Sequence, residues 1–161
     1  MERGELLDVL LSKNLTLSSM ESLTGGMFAT AFTSLPGASK VFKGAAVTYT
    51  DAIKERFGVR KETISTYGAV SLEVSKEMAV RASLFFDSDL AVSFTGNAGP
   101  EPSEDKPVGL VFISVKIQNK LYSYELHFNG ERDDIRRQCV DFAFKEIVNR
   151  LHEERPLDFP K

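Results

Sequence analysis

The chain has one cysteine, two histidines and no apolar run near the roughly 18 residues that a membrane-spanning helix needs. Lone Cys139 cannot close a disulfide within the chain, and one thiol with His127 and His152 supplies no zinc-ligand cluster. There is no excess of basic residues: 20 Lys and Arg stand against 23 Asp and Glu, a net charge of −3. That leaves no general field to hold a nucleic-acid backbone, which removes nucleic acid as the main partner. The stretch MERGELLDVLLSKN lacks the basic start, long apolar centre and small-residue cleavage site of a secretory signal, so the location expected is cytoplasmic, with no membrane partner. Internal repeats, low-complexity tracts, a dinucleotide fingerprint, a Walker loop and a G-x-S-x-G elbow are also missing.

What remains is an ordinary globular composition. At 161 residues and 42% hydrophobic, the chain is long enough to bury a real core, and one domain over 1–161 is expected. Leu6, Leu7, Val9, Leu10 and Leu11 predict an N-terminal helix that stops at Lys13-Asn14, followed by a strand over 15–20. Thr24-Gly25-Gly26 opens a helix carrying Met27, Phe28, Ala31 and Phe32, broken at Leu35-Pro36-Gly37. A second strand over 44–49 meets Thr50-Asp51, a cap for the short helix AIKERFG. Ser71 caps a helix whose Val74, Met78, Ala82, Phe85 and Phe86 share a face, and a strand over 90–96 runs into a loop from Asn97 to Pro107.

Two β runs over 108–117 and 121–128, linked by Gln118-Asn119-Lys120, read as a hairpin. A last helix from about Asp133 lines up Ile135, Cys139, Ala143, Ile147 and Leu151, and a loose tail starts at Glu153. Strands alternating with helices and then a hairpin imply an α/β fold. The expected form is a three-layer α/β/α sandwich with a mixed, mainly parallel sheet ending in an antiparallel hairpin.

In such sheets ligands bind outside the carboxyl ends of the strands. Three turns reach that edge: Glu21 to Gly26, Tyr49 to Lys54 and Thr95 to Gly99. Ser22 stands between a strand and a helix, where its hydroxyl and the free amides of the helix start can face one space; alternatively, Ser22 or Thr24 only caps the helix. Lys54 falls in the first turn of its helix, where the dipole disfavours a cation, so a lowered pKa and a general-base role are one reading and a solvated surface lysine is the other. Tyr49 offers either a hydroxyl donor or a plain strand-end aromatic. Thr95-Gly96-Asn97-Ala98-Gly99-Pro100 has the small residues of an anion-binding nest. Glu104-Asp105 reads as a solvated pair in a polar loop.

The blocks ESLTGG at 21–26, SLPGASKVFKGAAVTYTDAIKERFGV at 34–59, GAVSLEV at 68–74, TGNAGP at 95–100, KPVG at 106–109 and NGERDDIRRQ at 129–138 together resemble the C-terminal domain of the competence/damage-inducible CinA family, found also as the stand-alone nicotinamide-nucleotide amidase. The resemblance implies hydrolysis of the carboxamide of nicotinamide mononucleotide to nicotinate mononucleotide and ammonia, with no metal or other cofactor. It makes Ser22 the nucleophile, Lys54 its base and Tyr49 an assisting group, with helix amides stabilising the oxyanion. Thr24, Gly25, Gly26, Thr95, Gly96 and Arg132 would hold the substrate, with Lys43 a further charge partner for its phosphate. It also implies a small-molecule nucleotide partner, a dimer or higher assembly, and a stand-alone amidase, since no pyrophosphatase-like domain precedes these blocks.

The chain departs from the family pattern at Leu23, in place of a frequent cysteine, at Asn97, in place of an apolar residue, and in AGPEPSEDKPVG, which lacks a glycine pair. Glu101, Glu104 and Asp105 add negative charge to that loop. The alternatives to the amidase are a catalytically silent ligand-binding or regulatory domain of the same fold, and an amidase for another anionic amide.

Overall fold

The computed structural model describes residues 3–153, so the tail expected after Glu153 lies outside the described residues. The elements in order are α1 (Gly4–Lys13), β1 (Leu17–Glu21), α2 (Met27–Thr33), a 3-10 turn (Ala38–Lys40), β2 (Phe42–Val47), α3 (Asp51–Arg56), α4 (Lys61–Tyr67), α5 (Leu72–Phe86), β3 (Leu90–Gly96), β4 (Leu110–Ile117), β5 (Lys120–His127) and α6 (Arg132–Glu153). The sheet runs β2-β1-β3-β4-β5. Strands β2, β1 and β3 are mutually parallel, and β4 and β5 close the sheet as an antiparallel pair. The α/β sandwich with a mixed sheet is therefore the observed fold. No helix among the described residues is long and apolar enough to cross a membrane.

Alternation in the strands assigns the two faces. On one, Leu17, Leu90, Val92, Phe94, Val111, Ile113 and Val115 meet buried residues of α1, α2 and α6, with Phe28, Phe94 and Phe144 in ring contact. On the other, Met20, Ala46 and Ala91 pack on Val74, Met78 and Ala82 of α5 and on Ile64 of α4. This second face is rich in small hydroxyls that satisfy one another. Ser93 Oγ donates to the Ser75 carbonyl at 2.6 Å, and the Ser75 and Ser114 hydroxyls pair at 2.7 Å. Small side chains let α5 lie close on the sheet with these hydroxyls paired.

Most expected elements occur within two or three residues of their predicted limits. Helix α5 starts behind Ser71, whose hydroxyl accepts from the Val74 amide at 3.2 Å. Phe85 does not share its buried face: it is 64% exposed and packs on Phe57. The hairpin turn is two residues, with Ile117 opposite Lys120 and Gln118 at φ 52°. Helix α4 has no counterpart in the sequence reading. Its start is held by Glu77 of α5, which accepts from the Arg60 amide at 2.8 Å and from the Thr63 hydroxyl. A cap supplied from 17 residues downstream leaves no local signal.

The ring cluster carries much of the first core. Phe28→Ala should lower the unfolding free energy by about 3–5 kcal/mol, measured by urea denaturation; a loss under about 1 kcal/mol would contradict this packing.

Candidate active site

Because β1, β2 and β3 run parallel, their carboxyl ends share one edge, and the three predicted turns converge there. They surround a cavity of about 290 Å³ lined by Ser22, Leu23, Tyr49, Lys54, Thr95, Gly96 and Arg132 among others. That is close to the lower end of small-molecule sites, roughly 300 Å³.

The turn after β1 is held from both sides. Glu21, fully buried, accepts from the Ser19 hydroxyl at 3.0 Å, the Thr24 hydroxyl at 2.8 Å, and the Phe28 and Ala29 amides at 3.0 Å each. Its carboxylate thus caps α2, a task the sequence reading offered to Ser22 or Thr24. The Gly26 backbone turns into the helix at φ 97°, a region open to glycine. From α6, Arg136 donates to the carbonyls of Leu23 at 2.9 Å and Thr24 at 3.2 Å. Neither Glu21 nor Arg136 stood out in sequence, although both lie inside the matching blocks.

With the cap supplied from inside, the Ser22 hydroxyl is left to the cavity, where it meets Lys54. Thr50 caps α3 as expected, accepting from the Ile53 amide at 3.4 Å, and sets Lys54 as the fourth helical residue. The lysine is only 1% exposed. Its Nζ lies 3.0 Å from Ser22 Oγ, 2.8 Å from the Thr48 carbonyl and 3.4 Å from the Tyr49 carbonyl. An ammonium would donate to all three. An uncharged amine would donate to the two carbonyls and turn its lone pair on the serine hydroxyl.

Burial lowers the Lys54 pKa from its ordinary 10.5, while the carboxylates of Asp51 and Glu104 push the other way. The leading cause is thus loss of water. Cys139 offers no competing nucleophile, since burial pushes its thiol up to about 12.

Tyr49 is 57% exposed at the cavity, and its hydroxyl accepts from Arg132 at 3.0 Å. Arg132 also donates to the Gly99 carbonyl at 2.5 Å. Thr95 lines the cavity with its hydroxyl given to the Ala69 carbonyl at 2.8 Å. Gly96 is tightly placed: a Cβ there would stand 2.7 Å from the Leu110 carbonyl. Thr24, Gly25 and Gly26 form the turn but lie outside the lining, and exposed Lys43 sits on β2, also outside it.

The amides at the start of α2 are committed: Phe28 and Ala29 to Glu21, Met27 to the Thr24 carbonyl. The Leu23 amide, directly after Ser22 and in the lining, has no acceptor among the described residues. Glu104 keeps the exposure expected of a loop carboxylate but is also held by protein partners. It accepts from the amides of Ala69 at 3.0 Å and Val70 at 3.1 Å and from Lys106 at 3.2 Å, and Asn97 holds the same loop through the carbonyls of Ser103 and Lys106. No group of three His, Cys, Asp or Glu side chains among the described residues is arranged to hold a metal ion.

Two expectations follow from the buried Glu21 and Lys54. Glu21→Gln puts an amide NH₂ among four donors and should cost about 1–3 kcal/mol of stability, read from the urea midpoint; no change would contradict the capping role. Between the lowered Lys54 value and 10.5, the unfolded chain binds a proton that the folded chain does not, so this residue makes stability rise with pH. Lys54→Met should remove that slope. A wild type that loses stability relative to Lys54→Met as pH rises toward 10.5 would contradict the lowered value.

Comparison with known proteins agrees with the fold. The CinA C-terminal domain family matches residues 3–151. A CinA-like protein of Petrotoga mobilis is 46% identical over 150 residues, which cover 92% of this chain and 37% of that protein. The chain thus spans a little over a third of the length of the curated relative. Among solved structures, a competence-damaged protein (CinA) superfamily protein of Klebsiella pneumoniae superposes with a TM-score of 0.92 at 27% identity, covering 94% of this chain and 96% of that one. The competence/damage inducible protein CihA of Agrobacterium tumefaciens gives 0.86 at 34% identity, covering 93% and 94%. With the family matched across nearly all the described residues, this chain belongs to the CinA C-terminal domain family.

Proposed function

We propose that the domain is a serine-lysine amidohydrolase that converts the carboxamide of nicotinamide mononucleotide to the carboxylate, releasing ammonia. The observation that supports it is the 3.0 Å contact between a buried lysine Nζ and a serine hydroxyl in one cavity. Uncharged Lys54 takes the Ser22 proton and the alkoxide adds to the amide carbon, forming a C–O bond. The Leu23 amide, with no acceptor among the described residues, is the nearest backbone donor in sequence for the oxyanion that forms. Collapse breaks the C–N bond as Lys54 returns the proton to the departing nitrogen. Water, deprotonated by the same amine, then cleaves the ester and restores Ser22.

Arg132 supplies charge for the phosphate and holds the Tyr49 oxygen, which leaves the Tyr49 hydrogen free to donate. The substrate and the roles of Ser22 and Lys54 are those the family resemblance implies, and the 3.0 Å contact between them supports the proton path.

Ammonia release from nicotinamide mononucleotide tests the reading. Ser22→Ala and Lys54→Ala should each lose roughly 10³-fold or more in kcat, with the double variant little worse than either, because the two act as a unit. For the wild type, kcat/KM should rise with pH through a midpoint below 10.5, since only the uncharged amine accepts the proton. Full activity in either variant would refute the mechanism, and binding without turnover by the wild type would make this a silent ligand-binding domain.

A further inference from the structure

Resting on the reading of Ser22 and Lys54 as the working pair, we propose that Glu104, together with Asp51, determines specificity by making the cavity select a carboxamide carried on a positively charged ring. The cavity lining holds three carboxylates, Asp51, Glu101 and Glu104, against the single guanidinium of Arg132 and a lysine whose working state is uncharged. Glu104 is fixed in direction. The amides of Ala69 and Val70 grip its two oxygens, and Asn97 braces the loop behind it by accepting from the Ser103 hydroxyl and donating to the carbonyls of Ser103 and Lys106. A charge held in place discriminates better than a mobile one, because it need not be reorganised when the ligand arrives. Lys106 tempers the Glu104 charge, whereas Asp51 has no side-chain hydrogen bond or salt bridge among the described residues.

The same two carboxylates reach the base. Both act on Lys54 to favour its charged form, against the effect of burial. A ring bearing a quaternised nitrogen would neutralise them on binding and would itself repel an ammonium. It therefore binds to the carboxylates and releases the amine for proton transfer in one event. A neutral ring of the same shape does neither. The ligand class is a carboxamide on an N-alkylated, cationic aromatic heterocycle.

Binding of two phosphate-free probes to the full chain tests this: 1-methylnicotinamide, a cation, and nicotinamide, its neutral counterpart. Titrations followed by NMR on the wild type should show a preference for the cation of roughly fivefold to tenfold, the scale of one charge about 4 Å away in a water-like dielectric, since Glu104 is exposed. Glu104→Gln and Asp51→Asn should each remove most of that preference and leave nicotinamide binding unchanged. Should Glu104→Gln disturb the loop, Asp51→Asn decides alone, since it breaks no hydrogen bond. A wild type without the preference, including one that binds neither probe, overturns the proposal, as does a preference retained in folded Asp51→Asn. A cation preference in a protein that releases no ammonia leaves this inference standing and sinks only the catalytic reading.

Discussion

A primary amine buried at the end of a sheet has to find partners inside the protein or stay uncharged, and Lys54 is built around that choice. Two of its directions end on the carbonyls of Thr48 and Tyr49, and the third ends on the Ser22 hydroxyl. With water excluded, the charged form loses its solvation and the uncharged form loses little. The hydroxyl is then the one proton donor among the three contacts, and an uncharged amine would turn its lone pair on it. The proposed chemistry rests on the 1% exposure of this side chain.

The fold produces that burial through its topology. Three parallel strands bring their carboxyl ends to one edge, and the turn after each supplies one wall of the cavity. The turn that carries Ser22 is fixed by a carboxylate from within and a guanidinium from α6. Glu21 does two things there: it satisfies amides at the start of α2 and it spares the Ser22 hydroxyl from that work. The loop after β3, which also lines the cavity, is held by the hydrogen bonds of Asn97 and Glu104.

Much of this was legible in the sequence, and the limits of legibility are physical. Period-2 and period-3.6 patterns placed the strands and the long helices because those elements bury one regular face. Local caps at Thr50 and Ser71 were readable since donor and acceptor sit three residues apart. Helix α4 was not, because its cap comes from Glu77 in another element. Glu21 was passed over for a related reason: a buried carboxylate looks like any surface acid until four donors are folded around it. Phe85 was placed in the core by its spacing, yet its contact is with Phe57 at the surface. The three turns were found by strand order, but which of their side chains face the cavity depended on how each turn closes. The Thr24 hydroxyl turns inward to Glu21, while Ser22, two residues earlier, faces Lys54.

The central claim concerns the charge of one nitrogen, and that charge can be observed directly. Selective ¹³C labelling of lysine Cε, with Lys54→Met to assign the resonance, lets its titration be followed by NMR in the folded wild-type chain. The account predicts a midpoint clearly below 10.5 that belongs to the resonance missing from the variant. A midpoint at or above 10.5 would mean that Lys54 is an ammonium throughout the neutral range, and that it anchors the Ser22 hydroxyl instead of accepting its proton.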